Sequence, residues 1–176
     1  MLNAFKDITE AARRGGSKRI VVPWPTEQDL AVLAEAAAAG LASPCLVGNG
    51  GRLKALVDRS SLAAGTCDIL EEDDPRQALL KAMAVVRSGD GDILMQGGAA
   101  KSDLFQVLRD KDAGWLNPGG ILSLVSVFSL LKREKLILVT DTYINNHPTL
   151  VEKQRILGNA LDLARLLGME SPKAAV

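Results

Sequence analysis

Short apolar runs alternate with amphipathic stretches along most of this chain. The clearest run, residues 136–139, is unbroken and has the length of a strand that is buried on both faces. Residues 141–148 are rich in groups that hydrogen-bond their own backbone, so the strand must end there. Apolar positions then recur at helical spacing, at Leu150, Ile156, Leu157, Ala160, Leu161, Ala164 and Leu167. The pattern predicts a buried strand, a polar turn and a long amphipathic helix.

The rest of the chain follows the same alternation. Strands are predicted at residues 19–22, 44–47, 68–70 and 92–95, and helices at residues 3–14, 27–39, 53–57, 75–87 and 102–111. Local signals mark the helix starts, since Thr26 is a favoured N-cap and Pro75 suits a first turn. Strands that alternate with helices imply right-handed crossovers and a mostly parallel sheet. We therefore predict an α/β fold, a three-layer sandwich with helices on both faces of the sheet.

Residues 121–131 fit two patterns. Serines recur every third residue from Ser123, which would line one side of a helix, whereas Val125, Val127 and Phe128 favour a strand. We predict a strand, because a helix that began after the two preceding glycines would lack a cap. A charged turn at residues 132–135 leads into the next strand, so these two strands should be antiparallel neighbours. Residues 172–176 look like the start of one more strand, from which we expect a truncated form of a longer chain.

Composition narrows the class of protein. Of the 176 residues 47% are hydrophobic and 3% aromatic, which predicts one globular domain over residues 1–176 with an aliphatic core. The 21 basic residues balance the 21 acidic ones, which argues against a nucleic-acid partner, because such binding requires a cationic surface. No apolar run is long enough to span a bilayer, and the first residues lack an apolar signal core, so we expect a cytoplasmic protein without a membrane partner. Cys45 and Cys67 are expected to be small buried residues rather than a disulfide or metal ligands.

Polar side chains follow the strand predicted at residues 136–139. In open α/β sheets ligands bind beyond the carboxyl ends of the strands, where Asp141, Asn145, Asn146 and His147 would lie. Two accounts remain open for these residues: they bind a ligand, or Asp141 caps the turn and Asn145 adopts a left-handed backbone conformation. His147 is the only histidine, and because the partners of a metal site are missing we expect it to lie in the turn. We predict no metal site.

A second candidate joins the strand at residues 92–95 to the next helix. Gly97 and Gly98 would let backbone N–H groups approach an anion, and the helix start adds a partial positive charge. Lys101 and Ser102 mimic the end of a Walker loop, but the glycines of that motif are replaced, so this is not a P-loop. Together with Gln96, these residues either cradle a phosphate or sulfate or form a plain turn between strand and helix.

The stretch from residue 140 onwards also carries a family pattern, T-D-x-x-x-N-x-x-P-x-L-x-x-K-x-x-I-x-x-N-A-x-x-L-A-x-x-L-G-x-x-x-P-K-x-A. The matching residues are Thr140, Asp141, Asn145, Pro148, Leu150, Lys153, Ile156, Asn159, Ala160, Leu163, Ala164, Leu167, Gly168, Pro172, Lys173 and Ala175. On these residues the chain resembles the phosphate acetyl/butyryltransferase family. Weaker similarity continues upstream at residues 92–97 and 121–123, so the resemblance covers most of the chain. The family's enzymes are nearly twice as long, and the resemblance implies that this chain ends where their second domain begins.

The resemblance implies both a fold and an activity. The fold would be like that of isocitrate/isopropylmalate dehydrogenase, with residues 1–176 as the N-terminal domain of a two-domain enzyme and the active site in the cleft. The activity would be acyl transfer between coenzyme A and inorganic phosphate, so that acyl-CoA, phosphate and acyl phosphate are the reactants and no further cofactor is needed. This domain would supply the loop with Gly97 and Gly98, Ser123, and the turn at residues 141–146. A cleft face without its second domain would expose apolar surface, so we expect a homodimer or higher oligomer.

Departures from the family pattern leave the catalytic residues unassigned. Where the family shows R-x-x-S-H, this chain has Gly120 in place of the arginine and Leu124 in place of the histidine, and Gln96 replaces the lysine of an M-K-G motif. Two hypotheses follow from the resemblance. The chain is the N-terminal part of a phosphate acyltransferase, or it is a degenerate relative that binds an acyl-CoA, an acyl phosphate or a partner protein without turnover.

Overall fold

The chain divides into two compact units. In the computed structural model, which describes residues 2–63, 65–110, 115–116, 119–130 and 135–176, one unit is the continuous stretch Ala12–Trp115, called here the central unit. The other, called here the terminal unit, combines Met1–Ala11 with Leu116–Val176. That residues 1–176 make up a single domain stays a prediction.

The described residues contain helices and strands in alternation. In chain order they are α1 (Phe5–Arg14), β1 (Lys18–Pro23), α2 (Glu27–Ala38), β2 (Ala42–Gly48), α3 (Gly50–Asp58), β3 (Asp68–Glu71), α4 (Pro75–Arg87), β4 (Ile93–Leu94), α5 (Lys101–Leu108), β5 (Ser126–Leu130), β6 (Lys135–Val139) and α6 (Leu150–Leu166). In this part of the chain no helix is both long enough and apolar enough to cross a membrane.

The central unit is built on a parallel sheet of four strands in the order β3-β2-β1-β4. Successive residues of a strand point to opposite faces, and both faces of this sheet are covered. Val22 packs on one face with leucines of α2 and α3, whereas Val21 packs on the other with Ala78 and Ala82 of α4. Helices therefore cover both sides of the sheet, which confirms the predicted three-layer α/β sandwich.

The helix starts of the central unit follow from their capping residues. The hydroxyl of Thr26 accepts the N–H of Asp29 at 3.3 Å, and the carboxylate of Asp29 accepts the N–H of Thr26 at 2.7 Å. This reciprocal pair is a capping box, so the predicted start of α2 is confirmed. Asp74 caps α4, with Pro75 in the first turn as predicted. Cys45 is fully buried in the sheet, and Cys67 is partly buried against the leucines of α2 and α3.

The terminal unit contains an antiparallel pair of strands and the long helix α6. In this pair Ser126 lies opposite Val139 and Leu130 opposite Lys135, which confirms the predicted antiparallel neighbours. The pair forms a sheet of its own, separate from the parallel sheet. At the opposite ends of the chain, the N–H of Leu2 donates to the carbonyl of Leu167 at 3.5 Å.

Two strand predictions for the terminal unit are wrong: one strand is shorter than predicted and the other is not formed. The strand predicted at residues 121–131 begins only at Ser126, because the preceding carbonyl groups accept hydrogen bonds from side chains of later residues instead of from a neighbouring strand. Residues 172–176 form no strand; residues 171–175 line a groove of about 750 Å³ together with β6 and α6. Most of the turn predicted at residues 132–135 lies outside the described residues.

Candidate functional site

The turn after β6 is organised around the carboxylate of Asp141. Its Oδ1 accepts the backbone N–H groups of Tyr143 and Ile144, each at 2.8 Å. Its Oδ2 accepts the side-chain amide of Asn145 at 2.6 Å. The peptide bond between Thr140 and Asp141 is cis. The side chain thus satisfies the donors of the following turn, which is the use that aspartate has at the end of a strand.

Asn145 connects this turn to the segment before β5. Its Nδ2 atom donates both to Asp141 and to the carbonyl of Leu122, the latter at 2.8 Å. Thr140 makes a parallel link, since its hydroxyl donates to the carbonyl of Leu124 at 3.1 Å. Asn145 is therefore held from both sides, and its side chain is partly buried.

The hydrogen bonds keep Asp141 ionised. Partial burial raises the pKa of this carboxyl group, but the N–H groups of Tyr143 and Ile144, the amide of Asn145 and the N–H of Leu124 together outweigh burial and lower the pKa below 3.8. At neutral pH the group is a carboxylate whose two oxygens already accept hydrogen bonds. A general base requires a pKa nearer the working pH, so this geometry suits Asp141 to positioning Asn145 rather than to taking a proton.

Ser123 belongs to the same network through α6. Nδ2 of Asn159 donates to the hydroxyl oxygen of Ser123 at 2.8 Å and to the carbonyl of Ile121 at 3.1 Å. One helical turn earlier on α6, Arg155 lies beside Gly119: a Cβ atom placed on that glycine would be 3.7 Å from Nη2 of the arginine. Ser123 thus contacts Asn159 of α6, while Asn145 links Asp141 to the neighbouring residue Leu122, so the three predicted residues lie in one part of the terminal unit.

The predicted glycine loop lies in the central unit, where its backbone passes close to the backbone of Pro23 and Trp24. Gly97 has a positive φ of 61°, and a Cβ atom there would overlap the carbonyl oxygen of Pro23 at the end of β1. The N–H of Gly98 donates to the carbonyl of Trp24 at 3.0 Å. Gln96 donates its amide to the carbonyl of Ala99 at 3.1 Å. The glycines are therefore required for packing against β1, and the N–H of Gly98 is already used.

The remaining predicted residues are exposed. Lys101 and Ser102 lie in the first turn of α5, where Ala100 occupies the N-cap position without a capping hydrogen bond from its side chain. Asn146 and His147 lie on the surface of the turn after β6. The nine predicted site residues thus fall into two groups, one in each unit. Their participation in binding stays a prediction.

Sequence reasoning missed the contributions of Asn159 and Arg155. Asn159 belongs to the family pattern but is not among the predicted site residues, and no pattern in the sequence indicates a role for Arg155. The available signal was chemical, since asparagine is a poor helix former and its presence in the middle of α6 indicates a specific partner. Among the described residues, no group of three or more His, Cys, Asp or Glu side chains is arranged to hold a metal ion.

The groove beside β6 is distinct from this network. Its lining comes from Leu2, Asn3, the length of β6, the apolar side of α6 and residues 171–175, and it does not include Ser123, Asp141 or Asn145. We therefore place the candidate site at the network around Ser123 and Asn145.

The structure is similar to a branched-chain phosphotransacylase from Enterococcus faecalis V583, with a TM-score of 0.69 and 16% identity, covering 88% of this chain and 54% of that one. The family model described as phosphate acetyl/butaryl transferase matches residues 72–176. The chain belongs to this family.

Curated relatives of the chain agree with the family. A phosphate butyryltransferase from Clostridium acetobutylicum is 27% identical over 99% of this chain. A phosphate acetyltransferase from Rhizobium meliloti is 29% identical over 98% of this chain. The chain spans 58% of the length of the first relative and 54% of the second, a little over half in each case.

Proposed function

We propose that this chain is the N-terminal part of a phosphate acyltransferase that moves an acetyl- or butyryl-type group between coenzyme A and inorganic phosphate. The observation that carries the proposal is the family match across residues 72–176, which includes the whole hydrogen-bonded network of β6, its turn and α6. The network belongs to the matched segment, and it is the part of the chain where polar side chains converge.

In the proposed reaction a phosphate oxygen attacks the thioester carbonyl of an acyl-CoA. The carbon–sulfur bond breaks, the acyl group leaves as acyl phosphate, and coenzyme A departs as a thiolate that takes up a proton. Such a reaction requires donors for the phosphate and for the oxyanion of the tetrahedral intermediate. The hydroxyl of Ser123 is of the type that provides a hydrogen bond of this kind. Asn145 has a positioning role, because both hydrogens of its side-chain amide are donated to Asp141 and to the carbonyl of Leu122. Coenzyme A is a substrate here, so the proposal calls for no resident cofactor.

The glycine loop forms the second part of the proposal. The first turn of α5 has no side-chain cap, so its N–H groups and Ser102 remain the part of this loop best suited to a phosphate group. Lys101 adds a cation to the same turn. Residues 1–176 would correspond to the N-terminal domain of a two-domain enzyme, with the cytoplasm, where acyl-CoA is consumed, as its location.

The alternative is a module that binds acyl-CoA, acyl phosphate or a partner protein without turnover. One observation favours it: the carboxylate of Asp141 is fully used in local hydrogen bonds and its pKa is lowered, so it is poorly suited to removing a proton. On this alternative the network would position a bound ligand but would not promote acyl transfer.

The two proposals are separated by measuring turnover and binding on the same purified chain. Turnover is followed as release of coenzyme A from acetyl-CoA and butyryl-CoA in the presence of phosphate, and binding by calorimetry with the same ligands. Phosphate-dependent release that falls in Asn145→Ala and persists in Asp162→Ala, an exposed change elsewhere on α6, supports the enzyme. Binding without release supports the module, and the absence of both contradicts the two proposals together.

Self-association is a further part of the proposal. One face of the β5–β6 pair carries exposed apolar side chains, among them Phe128 (52% exposed) and Val139 (42%). Exposed apolar patches of this kind mark interaction surfaces, so we expect a homodimer or higher oligomer and neither a nucleic-acid nor a membrane partner. Sedimentation at increasing concentration should show association, and Phe128→Ser should weaken it. Phe5→Ser is the control, because it makes the same substitution at a similarly exposed position on α1, and it should leave association intact. A single monomeric species at high concentration would contradict this.

A further inference from the structure

The side of α6 that faces residues 119–123 carries two polar side chains at helical spacing. Arg155 and Asn159 are four residues apart, so they lie on the same face of the helix. Asn159 already contacts the segment, through its hydrogen bonds to Ser123 and to the carbonyl of Ile121. Arg155 reaches the same segment one turn away, beside Gly119. The guanidinium group and the Ser123 hydroxyl therefore belong to one surface.

Gly119 lies beside this guanidinium group. It has a positive φ of 77° and no side chain, and a Cβ atom built on it would lie 3.7 Å from Nη2 and 4.0 Å from Nη1 of Arg155. That separation is ordinary van der Waals contact. The arginine thus lies against bare backbone and does not form a hydrogen bond with it.

Among the described residues, no hydrogen bond engages the guanidinium group of Arg155. The ion pairs found among the described residues, within 4.0 Å, do not include this side chain. Glu152, three residues earlier on the helix, interacts electrostatically with Arg155 but forms no ion pair with it, and its carboxylate accepts the N–H and the hydroxyl of Thr149 at 2.7 and 2.8 Å. Arg155 is exposed, so a dissolved ligand has access to it.

We propose that Arg155, together with the hydroxyl of Ser123, binds a phosphate group of the acyl-transfer reactants. A guanidinium group presents a planar fork of N–H donors that matches two oxygens of a phosphate, and a serine hydroxyl supplies one more hydrogen bond. Asn159 acts as the positioning residue, because it fixes the Ser123 oxygen as an acceptor and leaves the hydroxyl hydrogen free to donate. The inference rests on the proposed function for the identity of the ligand.

The charges around this surface are compatible with an anion. Asp141 is the nearby carboxylate of the network, and its charge is already met by the donors of its own turn, which is why its pKa is lowered. The pKa of Glu152 is lowered mainly by the N–H and hydroxyl of Thr149 at the start of α6, and to a smaller extent by the charge of Arg155. Because the carboxylate of Glu152 is held by Thr149 and forms no ion pair with Arg155, the exposed guanidinium group is still able to attract an incoming phosphate.

The test measures binding of inorganic phosphate to the purified chain by calorimetry and by phosphorus NMR. We expect Arg155→Ala to weaken phosphate binding at least about tenfold, as for loss of a charge-assisted hydrogen bond, and Arg155→Lys to restore part of it. Arg165→Ala is the matched control, because that arginine lies in the last turn of α6 and pairs with Asp162 at 2.7 Å. It should bind phosphate like the wild type. Thermal unfolding of each variant confirms that a loss of binding is not a loss of fold.

Coenzyme A also carries phosphate groups, so its binding is measured in parallel. A loss confined to inorganic phosphate assigns Arg155 to the phosphate substrate, and a loss confined to coenzyme A assigns it to that ligand's phosphates. Equal binding of both ligands by wild type and Arg155→Ala overturns the inference, as does a wild-type chain that binds neither. The proposed function fails separately: a wild type that binds phosphate through Arg155 but releases no coenzyme A retains this site and loses the activity.

Discussion

Replacing Asp141 with alanine removes the acceptor that holds the turn after β6. The backbone N–H groups of Tyr143 and Ile144 and the side-chain amide of Asn145 lose their partner together. Hydrogen bonds to a charged group are worth about 1.5–3 kcal/mol when buried, and water replaces part of that at a half-exposed site. We expect the free energy of unfolding to fall by about 2 kcal/mol. Because the N–H groups of Tyr143 and Ile144 lose their acceptor, the loss should be measurable at these two amides.

Hydrogen exchange at these two amides is the assay. A loss of about 2 kcal/mol corresponds to roughly 30-fold faster opening, since about 1.4 kcal/mol is a factor of ten. Asp162→Ala is the control, because it removes an exposed pair with Arg165 that is worth at most about 0.5 kcal/mol. Unchanged exchange at Tyr143 and Ile144 in Asp141→Ala would refute the role assigned to the carboxylate.

The same site predicts a pH dependence with a definite sign. The pKa of Asp141 is lower in the folded chain than its ordinary value of 3.8, so the carboxylate stabilises the fold above that value. This stabilisation is lost as the pH falls through the lower pKa of the folded state. The difference in unfolding free energy between the wild type and Asp141→Asn should therefore be constant near neutrality and shrink below about pH 4. A difference that grew on acidification would contradict the sign.

Further substitutions test the backbone and the caps, each by urea unfolding. Gly97→Ala should lower the unfolding free energy by about 2 kcal/mol or more, because φ is positive there and a Cβ atom would overlap the carbonyl of Pro23; a neutral effect would contradict the close approach. Gly158→Ala should raise it by about 0.5–1 kcal/mol, because the site is inside α6 and, apart from the helix's own backbone, no atom of the described residues lies within 4 Å of the new Cβ. Destabilisation would contradict the open space at this site. Thr26→Ala should lower it by about 1 kcal/mol through loss of the capping box with Asp29, and an unchanged midpoint would count against the cap.

The elements predictable from sequence are those whose signals are local. The apolar run that became β6 and the cap at Thr26 each carry their cause within a few residues. Residues 121–125 lack such a signal. Their carbonyl groups are satisfied by Asn145 and Asn159, which lie 23 and 38 residues later in the chain, and no periodicity encodes partners at that distance.

The glycine loop shows the same limit for the candidate site. From sequence, Gly97 and Gly98 are suited to an anion, because glycine opens the backbone to a ligand. In the structure these two glycines lie close to the backbone of Pro23 and Trp24, because β4 lies beside β1 in the sheet. Strand order is set by the whole unit, so the identity of a neighbouring strand could not be predicted from the loop. The position of Arg155 could not be predicted for a related reason, since its neighbour Gly119 has no side chain that would indicate a contact.

The terminal unit is assembled from both ends of the chain, and this bears on the order of events during synthesis. The central unit is one continuous stretch, so all of its parts leave the ribosome in succession and it is able to fold while translation continues. The first residues of the chain must wait, because the partner of Leu2 is Leu167. A nascent chain that has emerged from the ribosome as far as Trp115 should therefore protect the parallel sheet from protease while leaving the start of α1 open to cleavage.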